Sequence, residues 1–163
     1  MAQVLFSLGA NLGEAENTLK VAVKELSQQT LASFCKISSL YKTKPVGYAS
    51  QPDFFNLCVS IITDKDPLTI LSIAKGLETE HHRERLIKNG PRTLDIDILA
   101  YDDLIMERLE LTLPHPRMHE RAFVLIPLDE IVPNFIIQKY HSTVHNLRMA
   151  LSSEECSGVV KVE

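Results

Sequence analysis

Nothing in this 163-residue sequence approaches the roughly 20 consecutive apolar residues that a membrane-spanning helix requires. Positive charge is not in excess either. The 17 Lys and Arg residues stand against 21 Asp and Glu, a formal charge of −4, so whole-molecule attraction to a nucleic-acid backbone is not expected and phosphate chemistry must come from a local basic patch. Cysteine is scarce: Cys35, Cys58 and Cys156 form no CxxC pair and leave an odd thiol, which argues against a disulfide framework and fits a reducing compartment. Residues 1–8 have neither the basic start nor the apolar length of a signal peptide, so the expected location is cytoplasmic. No Lys-Ser/Thr follows the glycines at 9–13, which excludes a P-loop, and no Gly-x-Ser-x-Gly elbow is present. His115 and His119 have HxxxH spacing, but Pro116 intervenes and no third ligand pattern accompanies them, so zinc is not expected.

What remains is an ordinary globular composition, 45% hydrophobic and 23% charged, which excludes disorder, collagen-like repeats and coiled coil. With no internal repeat and no linker, the expected organisation is one domain over residues 1–163. Residues 4–8 read as a strand closed by a turn at 9–13, and helical spacing of Leu19, Ala22, Val23 and Leu26 marks a helix to about Gln28. Residues 34–43 read as a second strand and 54–63 as a third, separated by a turn-rich stretch at 44–52. Pro67 suits the first turn of a helix continuing to about His82, with His81 and His82 on its solvated end. Residues 83–91 lack periodicity and read as a mobile loop, and 93–101 return to strand. The order β-α-β-β-α-β is that of an α+β, ferredoxin-like antiparallel sheet with helices on one face, plus a C-terminal extension. In the extension, 109–113 reads as a short strand and 119–131 as helical turns interrupted by Pro127, while 152–163 carries little signal.

The sharpest chemical feature is Asp95-Ile96-Asp97 within residues 93–99. Strand alternation puts Leu94, Ile96 and Ile98 on one face and both aspartates on the other, with Cα atoms roughly 6.6 Å apart. Like charges so close raise each other's pKa unless a cation intervenes, and Mg²⁺ typically takes one or two carboxylates plus substrate phosphates. A solvated strand face is the plain alternative. Arg83, Arg85 and Arg92 before the pair, with His115 and Arg121 after it, supply groups that recognise phosphate oxygens, although such a charge run is more often a solvated surface. Thr43, Phe54, Asn56 and Phe123 form a second constellation. Phe54 and Asn56 share a strand face, where an aromatic platform beside an amide suits a flat heterocycle; two core phenylalanines and a turn asparagine are the plainer reading.

Taken with the motifs LGANLG at 8–13, SLYKTKPVG at 39–47, QPDFFN at 51–56, GPRTLDIDIL at 90–99 and PHPRM at 114–118, the chain resembles the 6-hydroxymethyl-7,8-dihydropterin pyrophosphokinase family of the folate pathway over residues 4–133. The resemblance implies a ferredoxin-like fold and transfer of pyrophosphate from ATP to the hydroxymethyl oxygen of the dihydropterin, releasing AMP. It implies two Mg²⁺ ions held by Asp95 and Asp97, and catalytic roles for Arg83, Arg92, Asp95 and Asp97. Glu78, Arg83, Arg85, Arg92, Ile98, Thr112, His115 and Arg121 match nucleotide-site positions. Thr43, Val46, Phe54, Asn56 and Phe123 match pterin-site positions, the two rings enclosing the heterocycle. Asn89, Glu110, His82 and Pro116 depart from residues common in the family, so no contact is carried onto them. The implied partners are these two small molecules, with no nucleic acid and no membrane, acting on a monomer. Two rivals stand beside this reading: another metal-dependent nucleotide enzyme using Asp-x-Asp, and a non-catalytic ligand-binding module on the same scaffold.

Overall fold

The computed structural model describes residues 1–11, 14–43, 53–87 and 93–162, without the side chains of 83–87 and Thr93. In chain order the elements are β1 (Ala2–Asn11), α1 (Ala15–Gln29), β2 (Phe34–Ile37), β3 (Tyr41–Thr43), β4 (Phe54–Thr63), α2 (Pro67–Ile87), β5 (Thr93–Tyr101), β6 (Met106–Glu107) and β7 (Thr112–Leu113). They continue with a 3₁₀ turn at Met118–Glu120, α3 (Ala122–Ile131), β8 (Ile136–Ile137), a second 3₁₀ turn at Gln138–Tyr140, β9 (Ser142–Thr143), α4 (Val144–Met149), α5 (Ser153–Ser157) and β10 (Val159–Lys161).

Six strands form the main sheet in the order β10-β3-β4-β1-β5, with β2 also paired to β4. Every pairing is antiparallel. The expected second strand is therefore two pieces, both on β4, because the chain breaks from the ladder between them, where the Ser38 hydroxyl accepts the Cys58 N–H at 2.9 Å. Apart from that break and the added β10, the connectivity is the ferredoxin-like one.

On the first face, α1 turns Ala15, Thr18, Leu19, Ala22, Val23 and Leu26 inward, the spacing of an apolar helical stripe. They pack with α2 residues Ile70, Ala74 and Leu77 over Val4, Phe6, Leu8, Leu57, Val59, Ile61, Leu94, Ile96 and Ile98. Each fully buried Val, Leu, Ile or Phe among them contributes about 1.5–3 kcal/mol relative to exposure. α2 starts at Pro67 because Asp66 caps it, its carboxylate accepting the Thr69 N–H at 2.9 Å and hydroxyl at 3.1 Å. Its backbone stays helical to Ile87, five residues beyond the expected end, so the expected loop begins as helix. Arg, Glu and Leu are strong helix formers and need no apolar stripe to propagate one turn further. His81 is buried, not solvated: its Nε2 meets Glu25 Oε1 at 2.8 Å and ties α2 to α1.

The extension covers the second face. Val124, Leu125 and Leu128 of α3 pack with Met118, Ile131, Ile137 and Val144 against Leu5, Cys58, Leu99 and Ala100. Leu99 and Ala100 both face this cluster because a bulge shifts the β1–β5 register between Leu5 and Phe6. The segment from 152 onward, which carried little signal, forms α5 under a Ser152–Glu155 capping box and then β10 on the sheet edge.

Candidate active site

On the second face α3 packs over Cys58 and Tyr41, and the strand register states which residues lie beside them. Tyr41, Asn56, Gly9 and Asp95 lie directly opposite one another in turn, forming one row across four strands. Thr43 and Phe54 form the row on one side of it with Asn11, and Cys58, Ser7 and Asp97 the row on the other. Directly paired residues share a face, so the acids and the amide–aromatic group are neighbours on one surface. Gly9 has a specific place in the middle. A Cβ built on it would stand 2.8 Å from Asn56 Oδ1, so the missing side chain leaves the volume that the Asn56 amide occupies. The expected turn at 9–13 is therefore strand as far as Asn11.

Asp95 is exposed and Asp97 half-buried, in keeping with the strand alternation. Partial burial and then the neighbouring Asp97 charge push the Asp95 carboxyl above its usual range. Glu78 reaches the same edge from α2, its Oε2 accepting the Ile96 N–H at 2.8 Å. Burial first, then Asp95 and Asp97, raise its pKa, against the lowering effect of that hydrogen bond. His82, one turn further along α2, adds a lowering influence on Glu78 and Asp95, and its Nε2 is buried without a hydrogen-bond partner. Glu78 and Asp95, both raised in part by neighbouring carboxylates, form with Asp97 an acidic donor set suited to positive charge. Asp95 and Asp97 offer the two hard oxygen ligands that Mg²⁺ takes from a protein when phosphates and water supply the rest. Among the described residues there is no cluster of three or more His, Cys, Asp or Glu arranged as an all-protein metal cage.

The edge itself carries information. Because the Ile96 N–H points away from β1 to Glu78, strand parity turns the N–H and C=O of Ile98 to the same open side of β5. Thr112 lies close by, since β7 packs beside β5. A donor and an acceptor on one strand edge match the edge of a nucleobase. His115 follows, its backbone N–H donating to Leu99 O at 2.8 Å. Its Nδ1 accepts the Arg117 N–H at 3.2 Å, which leaves Nε2 to carry the proton of the neutral ring. Burial lowers its pKa, aided by Arg121 and Arg117 and opposed by Asp97. Arg121 Nη1 stands 3.8 Å from Asp97 Oδ2, and its guanidinium carbon 5.6 Å from the centre of the Phe123 ring.

On the other side, Asn56 Nδ2 donates to Thr43 Oγ1 at 3.4 Å, and Phe54 stands across from Thr43. Phe123, in the first turn of α3, packs partly against the second-face core. The structure thus brings together Thr43, Phe54, Asn56, Asp95, Asp97, Glu78, Ile98, Thr112, His115, Arg121 and Phe123 around one sheet face and its edge. Val46, Arg92 and the remainder of the expected loop at 88–91 lie outside the described residues, as do the side chains of Arg83 and Arg85. Two residues escaped the sequence reading. Gly9 carried a signal, a glycine ending an apolar strand run. Tyr41 carried none beyond strand alternation.

Residues 5–133 match the family model described as 7,8-dihydro-6-hydroxymethylpterin-pyrophosphokinase (HPPK). A 2-amino-4-hydroxy-6-hydroxymethyldihydropteridine pyrophosphokinase of Bacillus subtilis is 44% identical over 125 residues, 77% of this chain and 75% of that protein. Its namesake in Haemophilus influenzae is 39% identical over 137 residues, 84% of this chain and 86% of that protein. Among solved structures, a Plasmodium falciparum HPPK-DHPS triple mutant with pteroate superposes with a TM-score of 0.71 at 16% identity, covering 98% of this chain. The chain spans 46% of that longer protein, and the likeness is one of fold.

Proposed function

This chain belongs to the 7,8-dihydro-6-hydroxymethylpterin-pyrophosphokinase family, and we propose that it transfers pyrophosphate from ATP to the hydroxymethyl oxygen of 6-hydroxymethyl-7,8-dihydropterin, releasing AMP, as a step of folate biosynthesis. The observation that carries the reading is the row Tyr41–Asn56–Gly9–Asp95, which sets an amide–aromatic recognition group beside paired acids on one face.

In this reading the dihydropterin lies against Phe54 and Phe123, its polar edge read by Asn56, Thr43 and Val46. The adenine takes the main-chain edge at Ile98 and Thr112, with Glu78 near the nucleoside. The triphosphate then runs along β5 toward Asp95 and Asp97, the residues that would hold two Mg²⁺ ions. The mutual repulsion of Asp95 and Asp97 supports this assignment, because a cation relieves it. When bound, such ions neutralise phosphate charge and align the β-phosphorus for in-line displacement. The pterin hydroxyl oxygen bonds to that phosphorus as the bond to the AMP oxygen breaks, so the chain's task is alignment and charge stabilisation. Arg83, Arg85 and Arg92 offset the charge that builds on the transferred group and on AMP, and Arg121 moves between Asp97 and phosphate oxygens. Neutral His115, with Nε2–H as donor, contributes a hydrogen bond without competing for the cations.

The unit of function is one domain over residues 1–163, acting as a monomer in the cytoplasm. A sheet that takes strands from both ends of the chain supports the first part. No described helix is long and apolar enough to cross a membrane. The test is incubation with ATP, Mg²⁺ and the hydroxymethyl dihydropterin. AMP is expected to accumulate only when the pterin is present. ADP or free phosphate without pterin dependence would instead mark a different nucleotide enzyme.

A further inference from the structure

α3 crosses the second face from one side of the site to the other. Arg121, at its start, stands 3.8 Å from Asp97 on β5. The Val124 carbonyl accepts the Cys58 thiol on β4 at 3.4 Å. Glu130, about 13 Å from Arg121 along the axis at the ordinary helical rise, ends the crossing at β3. There its carboxylate accepts three donors: the Ser39 N–H at 3.0 and 3.1 Å, the Ser39 hydroxyl at 2.9 Å and the Tyr41 phenol at 2.6 Å. Ser39 lies in the break between β2 and β3, between Ser38, whose N–H donates to Cys58 O at 2.9 Å, and Leu40, whose carbonyl accepts the Val162 N–H at 2.8 Å, and Tyr41 is the first residue of β3.

These contacts join the two walls of the amide–aromatic pocket. Tyr41 stands opposite Asn56 and two residues before Thr43, so whatever fixes Tyr41 fixes the strand that offers Thr43 to Asn56. Phe123 lies on the same helix as Glu130, two turns earlier. Glu130 is exposed and contributes nothing to core burial, so packing does not dictate a carboxylate at this position. The last strand adds to the arrangement: Lys161 pairs with Tyr41 through the backbone, and its charge acts on Glu130. Burial would raise the Glu130 pKa, but the Tyr41 and Ser39 hydrogen bonds and Lys161 outweigh it and hold the group ionised. We propose that Glu130 is a positioning residue for dihydropterin recognition, a strut whose bonds to Ser39 and Tyr41 set the spacing between Phe123 and the Thr43–Asn56 pair. The proposal rests on the pyrophosphokinase reading of the site.

The test is steady-state kinetics of the full chain and of Glu130→Ala, Glu130→Gln and Tyr41→Phe, with ATP and dihydropterin varied in turn. Glu130→Ala is expected to raise KM for the dihydropterin about tenfold, with kcat and KM for ATP held within about twofold, the split that marks lost uniform binding of one substrate. Glu130→Gln keeps an acceptor oxygen and is expected to recover part of that affinity, and Tyr41→Phe to lose part of it. Thr63→Val, which removes a buried bond to Thr30 O at the far end of β4, is the control for destabilisation alone and is expected to leave both KM values unchanged. If Glu130→Ala fails to fold, the other two variants decide. An unchanged dihydropterin KM in them, or equal rises for both substrates matched by Thr63→Val, overturns the proposal while wild-type activity still stands. Absence of pterin-dependent AMP from the wild-type chain would refute the pyrophosphokinase reading instead.

Discussion

Gly9 separates stability from function at a single position. The atom a Cβ would strike is the tip of the Asn56 amide, which can turn aside at small cost to the fold. Gly9→Ala is therefore expected to change the unfolding free energy by less than about 1 kcal/mol, since alanine removes chain entropy that glycine carries. Turnover at low dihydropterin should nevertheless fall at least about tenfold, because the displaced group is the one proposed to read the ligand. Parallel denaturation and kinetics check both halves. Asp97 makes the opposite case. Asp97→Asn keeps the volume and removes the charge, so kcat is expected to fall by at least about a thousandfold with the circular dichroism spectrum unchanged. Near-normal turnover with Mg²⁺ would remove Asp97 from the reaction.

At the scale of elements, helix ends and ties give the clearest expectations. α1 ends with Leu31 at φ 53°, a left-handed conformation that costs a branched residue about 1–2 kcal/mol, and the side chain is 72% exposed, so little packing offsets it. Leu31→Gly is expected to stabilise the protein by about 0.5–1 kcal/mol, read as a rise in thermal midpoint. The tie from α3 to β3 has a pH signature. With Glu130 held below its ordinary 4.5, the unfolded chain binds more protons in the window below that value. Its stabilisation is therefore complete above the window and lost as pH falls through the folded pKa. Glu130→Gln has no such titration, and its thermal midpoint should fall less steeply between about pH 5 and pH 3 than the wild-type midpoint. These same elements show what the sequence discloses. The helical stripe of α1 and the alternation at Leu94–Ile98 are periodic, because each buries one side against a core, and they are legible for that reason. The last turn of α2, the split of residues 34–43 and the strand β10 are set by propensity, a side-chain capture and edge pairing, none of which imposes a period. Among site residues the motif-bearing strand β5 was plain, whereas Glu130 and Tyr41 act through contacts 89 residues apart in sequence, beyond the reach of local pattern.

Across the whole molecule, β1 lies inside the sheet between β4 and β5 and β10 at its edge, so the beginning and end of the chain share one ladder system. Urea unfolding is expected to be a single transition, with helical circular dichroism and tyrosine fluorescence coincident; separated transitions would divide the chain into independent units. In the proposed reaction two substrates would meet without a cleft between domains: one sheet face would take the heterocycle, the adjoining edge the nucleotide, and the acids lie where the two surfaces join. The proposed recognition of the base by the main chain at Ile98 has an evolutionary consequence. Peptide groups are common to every side-chain substitution, so a point mutation at that edge alters shape without deleting the donor or the acceptor. An inhibitor that drew its affinity from those peptide groups would leave the enzyme few single-step routes to resistance.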